Sequence, residues 1–69
     1  MTICFFDSTR KLEVMRFEGN LSDAPLAGDN VILKSSEEYE KVYGFSDRSA
    51  TIEFRLIDYR DNSIILYLD

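Results

Sequence analysis

Glu37, Glu38 and Glu40 put three carboxylates within four positions, with Lys41 as their only basic neighbour in sequence. Such a cluster can imitate phosphate or dock on a basic groove, and the same composition also makes a solvated turn. It lacks the D-x-D-x-D-G spacing of a calcium loop, so no metal is expected there. Tyr59 and Arg60 adjoin in a turn, and Arg55 and Tyr67 lie on the flanking segments. Tyrosine and arginine are enriched in binding hot spots. They also suit a small phosphate-bearing ligand, stacked on a ring and paired with a guanidinium. Each tyrosine is also explained as a strand residue with a wet hydroxyl. Asp23 and Asp29 flank a loop that could hold a ligand, although their spacing specifies no chemistry.

Other chemistry is excluded by what the chain lacks. It has no histidine and a single cysteine, Cys4. That removes zinc sites, Ser–His and Cys–His nucleophile pairs, and the usual proton shuttle near pH 7. Cys4 lies in an apolar run, where a buried, inert thiol is expected. Two carboxylates can do acid–base work. Sixty-nine residues, however, leave little room for a water-excluded pocket of about 300 Å³. The expectation is a protein that is not an enzyme and uses no cofactor. A net charge of −5 repels a phosphate backbone, so direct nucleic-acid binding is not expected. The acidity serves solubility, or it serves a partner with a basic surface. No apolar run approaches ~18 residues, and MTICFFDSTRK lacks the charged and apolar regions of a signal peptide. The expected location is the cytoplasm.

Those side chains must be positioned by β structure. One domain over residues 1–69 is expected, with six strands and no sustained helical period. Residues 2–6 and 12–18 form a hairpin, and the second strand changes phase at Met15, as a bulge would require. Residues 19–30 hold the only proline and two of the three glycines, so they read as a loop. Residues 31–34 form a short strand. Ser35 or Ser36 can cap a helical turn over SSEEYE, but a turn is the expectation at this length. Residues 39–45, 50–58 and 63–68 follow as strands. In the fifth, Ile52, Phe54 and Leu56 share one face, and Thr51, Glu53 and Arg55 the other.

Pro25-Leu26-Ala27-Gly28-Asp29-Asn30-Val31 has the pattern P-x-x-G-D-x-V. Gly28 can supply a positive φ, Asp29 can accept from nearby amides, and Val31 starts a strand. With the strand spacing from 12 to 69, this turn resembles short SH3-like barrel proteins of phages and mobile elements. The resemblance implies an all-β fold, a small antiparallel meander of about six strands curled into an SH3-like barrel. It implies no proline-rich ligand, because there is no tryptophan and no A-L-Y-D-Y run.

The final strand, SIILYL, is apolar on both faces: Ile64, Leu66 and Leu68 on one, Ile65 and Tyr67 on the other. Cys4 and Phe6 make the first strand two-faced as well. No proline or lysine guards the last strand as an edge. A homodimer or higher oligomer is therefore expected, associating through Ile65, Leu66, Tyr67 and Leu68. The functional expectation is a non-enzymatic acidic binding protein that occupies a basic surface through Glu37, Glu38, Glu40, Asp23 and Asp29. Taken with the resemblance, it becomes an inhibitor of a host protein. The alternative is an oligomer that sequesters a small anion such as a nucleotide through Tyr59, Tyr67, Arg55 and Arg60.

Overall fold

Five strands and one helix make up the computed structural model, which describes residues 1–69. The strands are β1 (Thr2–Asp7), β2 (Leu12–Glu18), β3 (Asn30–Lys34), β4 (Asp47–Asp58) and β5 (Ser63–Leu68), with α1 (Glu37–Tyr43) between β3 and β4. Strands take 52% of the residues and form a single mixed sheet curled into a nearly closed barrel. The order is β2-β1-β5-β4-β3. β1 and β5 run parallel, and every other neighbouring pair is antiparallel. Two expectations are thereby corrected. The sheet is not a pure antiparallel meander, and it has five strands rather than six.

The fourth of the six expected strands, 39–45, is where the chain forms α1 instead. Local capping outweighs the β preference of Tyr39, Val42 and Tyr43. Ser36 Oγ accepts from the Tyr39 N–H at 3.2 Å, and the acidic residues of the first turn face the positive end of the helix. Gly44, at φ 77°, ends the helix in the left-handed region, and its N–H donates to the Glu40 carbonyl. Tyr39 and Tyr43 then fall four apart on one face, their rings 5.1 Å apart.

The phase change in β2 is a bulge. Phe5 pairs with Met15 and Phe6 with Glu13, leaving Val14 as the extra residue. Val14 is buried, and Leu12, Met15 and Phe17 also pack on the core, although their parities differ. In the long loop, Gly28 has φ 94° and Asp29 Oδ2 accepts from the Leu26 N–H at 2.8 Å, as expected.

A second bulge was not expected. Ile52 pairs with Leu68 but Phe54 pairs with Tyr67, so Glu53 is the extra residue of β4. Ile52 stays in the core, while Phe54 and Leu56 turn out to 51% and 48% exposure. Arg55 and Ile57 take the side of Leu66 and Ile64. The cleanest alternation in the sequence therefore does not mark one face.

β5 is not an edge strand. It lies between β1 and β4, and Ile64, Leu66 and Leu68 are fully buried with Ile3, Phe5 and Ile52. The core thus covers one face of β5 within the chain. Edge strand β2 is tied to the segment that follows edge strand β3, where the Ser36 N–H donates to the Val14 carbonyl at 2.7 Å. No helix is long and apolar enough to cross a membrane.

Candidate functional site

One end of the barrel is organised by Asp7, a fully buried carboxylate at the end of β1. Its Oδ1 accepts from the Thr9 and Arg10 N–H groups, both at 3.0 Å. Its Oδ2 accepts from the Tyr39 hydroxyl at 2.8 Å and pairs with Arg10 at 3.2 Å and Arg48 at 3.4 Å. Burial alone would raise the Asp7 pKa. The Arg10 amide, the Tyr39 hydroxyl, the Arg10 guanidinium and the Arg48 charge together hold it below the usual carboxylate range. Burial first, then donation to Asp7, push the Tyr39 phenol up. These bonds fix α1 over the barrel end. Arg10 also lies over the Tyr43 and Phe45 rings at 5.2 and 5.4 Å.

α1 presents the acidic cluster outward. Glu37, Glu38 and Glu40 are exposed, and no ion pair reaches any of them. Beside them Val42 is 59% exposed and Phe45 45%. Asp23 and Asp29 are exposed too, but each carboxylate is spent on its own turn. Asp23 accepts from the Asn20 N–H and Asp29 from the Leu26 N–H, both at 2.8 Å.

The second surface is the outer face of β2, β1, β5 and β4. Register places Glu13, Phe6, Tyr67 and Phe54 in one cross-strand row, and Arg16, Cys4, Ile65 and Leu56 in the next. Tyr67 stacks on Phe54 at 4.4 Å and meets Phe6 edge-on at 5.8 Å. Tyr67 thus gives one ring face to Phe54 and meets Phe6 edge-on, and the row forms an apolar contact surface. Sequence reasoning missed Phe6 and Phe54 as site residues. The β4 bulge that aligns Phe54 with Tyr67 has no signal in the sequence.

The four residues expected to hold a small anion are not gathered. Tyr59 and Arg60 sit exposed at the β4–β5 turn, where Arg60 pairs with Asp58 at 3.1 Å. Tyr67 lies four residues along β5, roughly 13 Å away at strand spacing. Arg55 takes the other side of the sheet from Tyr67. The surface has three depressions, of ≈ 540, ≈ 320 and ≈ 340 Å³, all open to solvent. None is an enclosed chamber for water-excluded chemistry. Among the expected self-association residues, Ile65 and Tyr67 are on the outer face, whereas Leu66 and Leu68 are committed to the core.

Cys4 is on the outer face rather than in the core, and its Sγ donates to Glu13 Oε1 at 2.7 Å. Burial, the hydrogen bond to Glu13 and the Glu13 charge push its pKa up to about 12. Glu13 is held low, chiefly by its bond from Arg16. The thiol is therefore protonated at neutral pH, and alkylation by iodoacetamide at pH 8 is expected to run roughly a hundredfold or more slower than in the denatured chain. Equal rates in the two states would show that Glu13 does not hold the proton on sulfur.

No protein-family model, no curated protein and no solved structure matches the chain.

Proposed function

We propose that this chain is a non-enzymatic binding protein that sets its α1 end against a basic surface of another macromolecule. One observation carries the reading: Glu37, Glu38 and Glu40 stand exposed and unpaired beside the exposed Val42 and Phe45. An apolar centre with a charged margin is the usual anatomy of a protein interface. The carboxylates would steer a basic partner and set its register, and the two apolar side chains would hold it. The likeness of the Pro25–Val31 turn to short SH3-like barrels of phages and mobile elements extends the reading to an inhibitor that covers a host protein's basic groove.

The chain immobilised on beads is expected to retain a basic protein from a cell extract. Retention should fall on the order of tenfold between about 0.05 M and 0.5 M salt. A Glu37→Lys/Glu38→Lys/Glu40→Lys variant should lose it at low salt. Retention that ignores both salt and the triple change would overturn the acidic docking surface.

A further inference from the structure

β3 leads directly into α1, and the hydrogen bonds at its two ends fix which way each of its residues turns. Before the strand the Ile52 N–H donates to the Asp29 carbonyl, and after it the Ser35 N–H donates to the Ser46 carbonyl. Both bonds fall in the register that pairs Val31 with Ala50 and Leu33 with Arg48. Backbone groups alternate in direction along an antiparallel strand, so Val31 and Leu33 bond to β4. The N–H and C=O groups of Asn30, Ile32 and Lys34 therefore point away from β4. No strand takes them. β3 pairs with β4 alone, and no β2–β3 ladder follows the contact between Ser36 and Val14. Ile32, at the middle of this edge, is 81% exposed, more than any other aliphatic side chain. A row of open donors and acceptors around an uncovered apolar side chain is where an extended segment adds to a sheet.

The charges around the edge say which segment. Asp29 precedes β3, Glu37 and Glu38 follow it, and Asp47 pairs across from Lys34. Asp69 accepts from the Thr51 N–H, and Thr51 is the cross-strand partner of Asn30. All these carboxylates are exposed, against one exposed base on the strand, Lys34. A second copy would bring the same excess to a molecule of net charge −5, whereas a basic segment brings the opposite sign. We infer that the edge of β3 takes an extended basic segment of a partner protein as a further strand. The inference rests on the docking reading of α1 and gives the form in which the partner arrives. The segment's backbone bonds to Asn30, Ile32 and Lys34, an apolar side chain covers Ile32, and lysines or arginines beyond it reach the carboxylates at both ends of the strand. A depression of ≈ 540 Å³, lined by Ile32, Ser49, Thr51 and Asp69 among others, lies beside the edge to receive side chains.

The probe is a blocked peptide, Lys-Arg-Thr-Thr-Val-Thr-Thr-Arg-Lys, and the readout is amide hydrogen exchange on the full chain. Without peptide, the Ile32 amide should exchange at least about tenfold faster than those of Val31 and Leu33, and saturating peptide should slow it by a similar factor. The same peptide N-methylated at its valine keeps every charge but loses the central bond, and should bind about tenfold weaker or worse. Ile32→Pro withdraws that N–H from the protein without touching a β4 bond. It should weaken the unmodified peptide to a similar degree while circular dichroism matches the wild type. If that variant misfolds, the N-methylated peptide still decides. Equal affinity for the two peptides, or no binding up to about 1 mM, overturns strand addition. Equal binding of a peptide with glutamate at every basic position overturns the charge assignment. An Ile32 amide that slows with protein concentration alone puts a second copy on the edge and overturns the basic segment. The Glu37→Lys/Glu38→Lys/Glu40→Lys variant changes only α1. Its loss of binding alongside equal affinity for the two peptides sinks strand addition and keeps the α1 surface, and the reverse pattern sinks the α1 surface alone.

Discussion

Asp7→Ala is expected to leave the chain largely unfolded at neutral pH. The substitution strips a fully buried acceptor from two backbone amides, a buried tyrosine hydroxyl and two guanidinium groups at once. Breaking a buried charge pair by removing one partner costs about 3–5 kcal/mol, because the partner left behind is uncompensated. A domain of this length has a total stability of about 3–10 kcal/mol. The loss is therefore of the same size as the whole. Asp7→Asn is the informative companion. Its carbonyl oxygen can still accept from the Thr9 and Arg10 amides, so the turn survives, but its NH₂ cannot accept from Tyr39 or pair with the arginines. Urea unfolding should rank wild type above Asn and Asn above Ala. An Asp7→Ala protein with a wild-type urea midpoint would show that the network does not hold the barrel end.

The same carboxylate sets an acid limit. Its folded-state pKa lies below the unfolded value of about 3.9. Its contribution is therefore complete above that pH and is lost as pH falls through the folded value. Wild type should unfold progressively below about pH 4, and Asp7→Asn should show a shallower dependence there. The slope of stability against pH, read from urea melts between pH 2 and 6 on both proteins, separates the two (the pH range is about that of carboxylate titration).

What the sequence revealed and what it hid divide along one line: whether a signal was local. Gly28 and Asp29 were readable because a positive φ and a carboxylate-capped turn are settled by neighbouring residues. The β2 bulge was readable because Met15 and Phe17 break parity within the strand itself. The β4 bulge was not, because Ile52, Phe54 and Leu56 keep perfect alternation and only pairing with β5 forces Glu53 out. The helix at 37–43 carried its capping serine and terminal glycine in plain view, but its tyrosines and valine are also strand formers. Asp7 was the costliest omission. It precedes the turn residues Ser8, Thr9 and Arg10, as a residue capping its own turn would. Its partners Tyr39 and Arg48 are 32 and 41 positions away, and nothing in the sequence joins them.

The parity of β5 decides between two accounts of the terminal apolar run, and its test has an effect as large as that of Asp7. Leu66 is fully buried between Phe5 and Arg55 in register, and its neighbours Ile65 and Tyr67 look outward. Leu66→Ala should lose about 2–5 kcal/mol, the transfer free energy of the side chain plus the cavity left behind. Leu66→Glu should cost more still, since its carboxylate would be desolvated in the core and pairing with Arg55, its cross-strand neighbour, offsets only part of that cost. Ile65→Ala should cost less, because the side chain is partly exposed on the outer face and leaves no sealed cavity. Urea midpoints of the two alanine variants measure the contrast. If they lost stability equally, the strand would not be one-sided within the monomer, and the core would have to be redrawn. If Leu66→Ala alone is destabilised, one face of β5 closes its own barrel. A second copy then has only the other face, Ile65 and Tyr67, to cover. A Leu66→Glu chain that aggregates therefore reports a broken core rather than a lost interface.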